Sequence, residues 1–172
     1  MITVPRKRKI ETVVYVENGE LILFGKNLLG PHKGLINGFG GGVKPGETIE
    51  TATKREVWEE TKDENGNGIV IRSMYNCGVI QKYKNGKRGT KLYFFWVIEF
   101  EGEAHKTIEM LPKWYYKNNI PSENERMQSD KFLFSPMLAG KKVVGDIYYN
   151  KTGKIIYVNI KIIEKTPHII NF

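Results

Sequence analysis

Apolar residues along this chain gather into short β-branched runs broken by Gly- and Asn-rich turns, with one long helical stretch set among them. Residues 10–16 and Leu21-Ile22-Leu23-Phe24 flank Asn18-Gly19, a strong short-range signal for a β-hairpin. Residues 25–36 read as a loop holding Lys26, His32 and Lys33; His32 has no partner at metal-ligand spacing and is assigned no chemistry. Residues 69–82 and 91–100 predict two further strands, joined through Lys84-Asn85-Gly86-Lys87-Arg88-Gly89. Within the second, Tyr93-Phe94-Phe95-Trp96-Val97-Ile98 is an unbroken apolar run. That is the pattern of a strand covered on both faces, and its aromatics read as core. Residues 112–116 predict a short strand, and residues 142–149 and 155–163 predict a closing hairpin across Thr152-Gly153. A second, short helix starts at Ser129 or Asp130, runs through Ala139 and ends at Gly140. Alternating strand and helix signals with several hairpins predict an α/β domain around a mixed sheet. No repeat, low-complexity tract or linker divides the chain, so residues 1–172 read as a single domain.

The longest helical stretch covers residues 49–61, and its polarity is inverted. Pro45-Gly46 makes a turn, Thr48 supplies an N-cap hydroxyl, and thirteen residues without Gly or Pro follow. At about 100° per residue, Ala52, Glu56, Glu59 and Glu60 fall on the side of Ile49, while Thr51, Lys54 and Trp58 fall opposite. An ordinary amphipathic helix keeps its carboxylates away from its small apolar residues. Carboxylates crowded onto the apolar side repel one another and lose hydration unless a counter-ion joins them. A hard divalent cation, Mg²⁺ or Mn²⁺, meets that need, because it takes oxygen ligands from a few carboxylates and from substrate phosphates. Arg55, four residues before Glu59, is placed to hold that carboxylate. Taken alone, the helix also fits a solvated Glu/Lys surface.

Composition narrows the class. Forty per cent hydrophobic and 12% aromatic content in 172 residues suits a packed core and excludes global disorder. The single cysteine, Cys77, excludes an internal disulfide, reads as a small core residue and fits a reducing cytoplasm. No apolar run approaches a membrane span, and Glu11 interrupts any signal-peptide core behind the basic start, so a soluble cytoplasmic protein is expected. The net charge of +8 favours polyanions, which suits a phosphate-bearing substrate. The basic residues are spread along the chain except for Pro5-Arg6-Lys7-Arg8-Lys9, which reads as a solvated terminus ahead of an RNA-binding arm.

Gly41, Glu47, Arg55, Glu56, Val57, Glu59 and Glu60 stand at the spacing G-x5-E-x7-R-E-U-x-E-E. At ordinary residue usage that string arises in a given window roughly once in ten million. It is the Nudix box, and the chain resembles the Nudix hydrolase family, most of all the MutT branch that includes the oxidised-purine nucleoside triphosphatases. Asn37-Gly38-Phe39-Gly40-Gly41, Glu109-Met110-x-Pro112-x-Trp114, Ile120-Pro121 and Phe134-Ser135-Pro136 have counterparts there, so the likeness spans nearly the whole chain.

The resemblance implies an α/β/α sandwich and metal-dependent attack of water on a diphosphate, splitting a nucleoside triphosphate into monophosphate and pyrophosphate. By it, Glu56, Glu59 and Glu60, with the carbonyl of Gly40, would bind Mg²⁺ (or Mn²⁺), and Gly41, Glu47 and Arg55 would brace loop and helix. Glu109 matches a further carboxylate that reaches the metal centre or assists the water, which leaves Glu59 and Glu109 as candidate general bases. Asn37 and Asp130 match positions that hydrogen-bond the purine edge. Asp130 suits an N-cap equally well, Met127 lies in the same segment, and Lys26 is a candidate for substrate phosphate. Two departures matter. Lys62-Asp63 stands where the pattern has Gly and an aliphatic residue, which predicts a differently capped helix. Met127-Gln128-Ser129-Asp130 stands where relatives selective for oxidised purines carry Trp-Pro-Asp-Asp, so one carboxylate and a stacking indole are missing. The expected role is sanitation of modified purine triphosphates such as 8-oxo-dGTP, a step in DNA repair. Rival substrates are an RNA 5′ end, a dinucleoside polyphosphate and ADP-ribose, and a rival class is a nucleotide-sensing module that does not cleave. The expected partner is a small nucleotide, with no membrane; the oligomeric state is left open, a monomer being favoured.

Overall fold

A computed structural model describes residues 9–164 and 166–172, so the basic run at residues 5–9 lies outside the described residues apart from Lys9. The first hairpin, β1 (Ile10–Asn18) and β2 (Leu21–Asn27), pairs only between residues 16–18 and 21–23, after which the two strands part. β3 (Ile36–Asn37) joins β2 inside that fork, and the chain beyond it is laced to β1 instead. Phe39 and Val14 exchange hydrogen bonds at 2.6 and 2.8 Å, and the Thr12 N–H donates to the Gly41 carbonyl at 2.9 Å. The glycine loop therefore lies against a central strand and does not hang free.

On its other side β1 runs parallel to β5 (Lys87–Glu101), which pairs antiparallel with β4 (Val70–Lys84). β4 is parallel to β7 (Lys142–Tyr149), and β8 (Ile155–Ile163) closes that side, giving the order β3-β2-β1-β5-β4-β7-β8. β6 (Met110–Tyr116) pairs with β2 and β9 (Ile169–Asn171) with β4. The sheet is thus mixed, and its strand alternation sends side chains to two separate cores. Val14, Val16 and Phe95 face one, together with Val57 of α1 (Ile49–Thr61). Tyr15, Phe94 and Trp96 face the other, with Leu133, Phe134 and Met137 of α2 (Asp130–Leu138). One helix covers each face, an α/β/α arrangement.

α1 has the predicted bounds, with the Thr51 N–H donating to Thr48 Oγ1 at 3.1 Å. Its end matches the expectation drawn from Lys62-Asp63. Lys62 is extended (φ −77°, ψ 145°), and the Asp63 carboxylate takes the N–H groups of Asn65 and Asn67 at 2.9 and 2.8 Å. Thr61 Oγ1 donates to the Val57 carbonyl and accepts from Ile69 N–H, tying the helix end to the approach of β4.

Several boundaries differ from the sequence reading by a residue or more, and three of the differences bear on the site or the sheet. β2 extends to Asn27, so Lys26 lies in a strand and not in a loop. β6 begins at Met110 and not at residue 112. The link expected across residues 84–89 shrinks to Asn85-Gly86, because β4 and β5 continue to Lys84 and from Lys87. What permits this is a bulge between Gln81 and Tyr83. The buried Gln81 amide lies within hydrogen-bond distance of the Lys82, Gly89 and Thr90 carbonyls (2.9–3.1 Å), and Arg88 Nε donates to its oxygen at 3.0 Å. Backbone groups freed by an irregular strand pair are expensive when buried, and this side chain takes them up. Gln81→Leu removes that donor from the three carbonyls; the expected outcome is a loss of about 2 kcal/mol in urea unfolding with an unchanged m value.

Candidate functional site

The glycine loop and α1 meet through a guanidinium. Arg55 Nε and Nη2 donate to the two Glu47 oxygens at 2.6 and 3.0 Å, and Nη2 also reaches the Gly42 carbonyl at 3.0 Å. Nη1 donates to Glu56 Oε1 at 2.6 Å and to Glu59 Oε2 at 3.0 Å. These charge-assisted bonds hold Glu47 at a pKa of about 2, with the hydrogen bond from Arg55 as the main cause. Two glycines permit the fit. Gly40 has φ +140°, and a Cβ there would stand 2.1 Å from the Thr12 carbonyl oxygen; a Cβ on Gly41 would stand 2.7 Å from the Glu56 carboxylate.

Glu60 is left out of the Arg55 cluster. Its side chain is 9% exposed, and its Oε2 accepts from the Gly40 N–H at 2.8 Å. Burial, with the charges of Glu56, Glu109 and Glu59, pushes its pKa up to about 8 against the pull of that hydrogen bond. Burial also raises Glu56, despite Arg55. Glu109 is exposed just ahead of β6, with its backbone fixed by Leu28 N–H to its carbonyl (2.8 Å). The structure therefore brings Glu56, Glu59, Glu60 and Glu109 to one region. Among the described residues, no three His, Cys, Asp or Glu side chains close into a finished metal cage.

Gly40, Gly41 and Glu60 line one end of a cavity of about 290 Å³ whose other end holds Asn37, Met127 and Asp130. Asp130 is 3% exposed. The N-cap position belongs to Ser129, which makes no side-chain cap bond, so the capping role considered for Asp130 is not taken. Its Oδ2 lies 3.4 Å from both the Tyr15 hydroxyl and Arg126 Nη1, and the same hydroxyl is 3.5 Å from Asn37 Oδ1. Burial outweighs the Arg126 charge and lifts the Asp130 pKa to about 6, so near neutrality this carboxyl can donate or accept a hydrogen bond. Lys26 does not join the group. Strand alternation turns it away from Asn27, which lines the cavity, and sets it beside Phe24 and Glu125 in a separate depression.

The sequence reading passed over Tyr15, Asn27, Lys82 and Arg126, of which Tyr15 and Arg126 hold Asp130 and Asn27 and Lys82 line the cavity. Arg126 carried a signal, since it stands four residues before Asp130. Tyr15 carried none, being separated from Asp130 by 115 residues.

An acidic helix pinned to a glycine loop, at the mouth of a cleft in a mixed sheet, is the arrangement of the Nudix hydrolases. The sequence matches the NUDIX domain over residues 5–134, and the chain belongs to that family. It is 32% identical over 158 residues to the oxidized purine nucleoside triphosphate hydrolase of Danio rerio, covering 91% of this chain and 95% of the relative. The Mus musculus protein of the same name is 26% identical over 157 residues, covering 91% and 96%. A MutT protein from Bacillus halodurans superposes with a TM-score of 0.72 at 25% identity, covering 88% of this chain and 97% of that one.

The raised Asp130 pKa has a thermodynamic consequence. The native state holds this proton more tightly than the unfolded chain, so the associated stability is complete below the ordinary carboxyl value of 3.8 and is lost as pH rises through about 6. Asp130→Asn lacks that loss. Its unfolding free energy relative to the parent chain is expected to rise by about 2 kcal/mol between pH 4 and pH 7 in urea titrations, whatever its offset at either pH. A constant offset would mean that folding does not raise the Asp130 pKa.

Proposed function

We propose that this chain is a divalent-metal-dependent nucleotide pyrophosphohydrolase that cleaves purine nucleoside triphosphates to the monophosphate and pyrophosphate, clearing modified purines such as 8-oxo-dGTP from the pool. The observation that carries this reading is the layout of the cavity. Glu60, the member of the carboxylate cluster that reaches the cavity, lines it beside Gly40 and Gly41, and Asn37 and Asp130, both within reach of the Tyr15 hydroxyl, line it elsewhere, an arrangement suited to phosphates and a base. The names of the relatives from Danio rerio and Mus musculus support the substrate class.

The donor set fits Mg²⁺ or Mn²⁺. Glu60 is buried without a cationic partner among the described residues, and all the candidate ligands are hard oxygens, from Glu56, Glu59, Glu60, Glu109 and the Gly40 carbonyl. An incomplete cage is no obstacle, because Mg²⁺ is ordinarily held by one or two carboxylates with substrate phosphates and water filling the rest. Bound there, the ion supplies charge to the phosphates and a more acidic water. Arg55 fixes Glu56 and Glu59 in orientation, so the carboxylates meet an incoming polyphosphate already placed. Glu59 and Glu109 are the more exposed of the group and are the candidates to take the proton from water. Asn37 and Asp130 then read the edge of the base, with Tyr15 and Arg126 fixing the Asp130 carboxyl.

Turnover of 8-oxo-dGTP, 2-oxo-dATP, dGTP, ADP-ribose and triphosphorylated RNA with Mg²⁺ tests the reading. The oxidised purines are expected to exceed dGTP in kcat/KM by about tenfold or more, as a hydrogen-bonding base site allows. Equal turnover of dGTP and 8-oxo-dGTP overturns the sanitation role, and preference for ADP-ribose or RNA reassigns the substrate. Glu56→Gln and Glu60→Gln should each lower kcat by roughly two orders of magnitude or more with nucleotide binding partly kept. Unchanged turnover in both removes the metal role.

A further inference from the structure

Beyond Met127 the cavity opens into an annexe of about 320 Å³, which shares His32, Lys82 and Met127 with it and is otherwise walled by Lys84, Gly89, Thr90, Gln128, Tyr149 and Gly153. Among the described residues, no carboxylate lines the annexe. Gln128 closes its floor by donating to the Gly153 carbonyl at 2.6 Å and accepting from Ile155 N–H at 3.3 Å, which ties the start of α2 to the β7–β8 turn.

Lys82 stands where cavity and annexe join. Among the described residues its amine makes no hydrogen bond and no ion pair, and it lies 5.7 Å from the centre of the Tyr149 ring. Burial lowers its pKa, and Glu11, the carboxylate that opposes this, is itself bound to Lys9 at 2.6 Å. Burial and then the Lys82 charge push down the pKa of His32, leaving a neutral imidazole as a further hydrogen-bonding group on the wall. A half-buried ammonium whose opposing carboxylate, Glu11 on the cavity wall, is engaged by Lys9, and which faces an annexe with a second lysine and, among the described residues, no acid, favours an anion. The stacking of Lys82 over Tyr149 keeps the amine at the junction without neutralising it.

We propose that this annexe binds a phosphate carried on the sugar of the nucleotide, at the 3′ position, remote from the anhydride that is cleaved. The inference rests on the nucleotide reading of the cavity. A nucleoside seated there sends its 5′ phosphates toward Gly41 and Glu60 and its base toward Asn37 and Asp130, which leaves the far side of the ribose as the remaining direction. The annexe shares no residue with the Gly40-Gly41-Glu60 end, so it does not serve the scissile phosphates. The same chemistry is offered by a free nucleoside 3′-phosphate and by the first phosphodiester of a nucleic-acid strand.

Calorimetry in Mg²⁺ buffer with guanosine 3′,5′-bisphosphate and guanosine 5′-monophosphate tests this directly, since neither ligand carries an anhydride. The bisphosphate is expected to bind about tenfold more tightly, with the ratio shrinking as salt is added. In Lys82→Met the ratio should fall to near one, and Lys82→Arg should keep it. Lys84→Met, at an exposed position, should lower the ratio and serves if Lys82→Met does not fold. A 5′-phosphorylated dinucleotide that matches the bisphosphate assigns the annexe to a strand, and one that binds more weakly assigns it to a free 3′-phosphate. Equal affinity of bisphosphate and monophosphate, or a ratio untouched by Lys82→Met, overturns the proposal. Because binding is read without turnover, a chain that fails to cleave triphosphates can still show the ratio, and one that cleaves them can still lack it.

Discussion

The rest of the site hangs on the Arg55 guanidinium. Its nitrogens reach both oxygens of Glu47, one oxygen each of Glu56 and Glu59, and the Gly42 carbonyl, so one side chain fastens the loop to the helix and sets the rotamers of two glutamates. Lysine could not replace it, because an ammonium lacks the planar fork that meets a carboxylate with two parallel bonds while a third nitrogen turns to the helix. The arrangement also leaves a deliberate imbalance. One guanidinium answers Glu47, Glu56 and Glu59, Lys44 adds a contact of 4.0 Å to Glu59 at the rim, and Glu60 has only a backbone N–H. Removing a carboxylate from water beside other carboxylates disfavours its charged form, which is why Glu60 is displaced to about 8. The excess negative charge that destabilises this helix face is the feature that suits it to a cation.

The other end of the cleft solves a different problem. Asp130, Arg126 and Tyr15 are all buried, and buried ionic groups are weak contributors to stability because desolvation consumes most of their attraction. At 3.4 Å the contacts to Asp130 Oδ2 are long, so they hold the carboxyl in position without satisfying it fully. Such a group retains capacity for a ligand. Phe134, from the same helix as Asp130, sits under the Arg126 guanidinium at 5.0 Å, so the α2 core and the polar end of the cavity are one packed unit.

What the sequence disclosed follows the range of the interactions concerned. α1, its Thr48 cap and the closing hairpin are set by neighbours within a few residues, and their bounds agree with the structure. The box itself is a local string, so Glu47 and Arg55 were legible as a pair, which the structure joins by hydrogen bonds while the guanidinium also reaches the carbonyl of Gly42, next to Gly41. Lys82 was not legible, because β4 carries register shifts near Ile71, Ser73, Asn76 and Gln81, and each such shift exchanges the faces to which later side chains point. Counting by twos along that strand therefore loses phase at one bulge and regains it at another, and the residues themselves do not mark where. Lys26 failed for the related reason that β2 continued past the point where its apolar run ended, held by pairing with β6 from Leu21 to Asn27. Pairing with a distant strand leaves no mark in the residues that are paired.

Charge along the cleft then has a direction. Carboxylates crowd the Glu60 end, while Lys82 and Lys84 stand at the annexe, whose described lining holds no acid, and the one carboxylate acting on Lys82, Glu11, is paired with Lys9. With no cation on the helix, a polyphosphate entering this cleft is repelled from the loop and drawn to the lysines, which is the wrong way round for cleavage at the box. A divalent ion held by the glutamates would offset part of that negative charge and offer direct coordination, which two partly solvated ammonium groups cannot match. On the reading proposed here, Glu56, Glu59 and Glu60 holding a cation would set which end of the ligand lies at the helix before any bond is broken. The lysines are left to a single remote phosphate, for which two ammonium groups are enough.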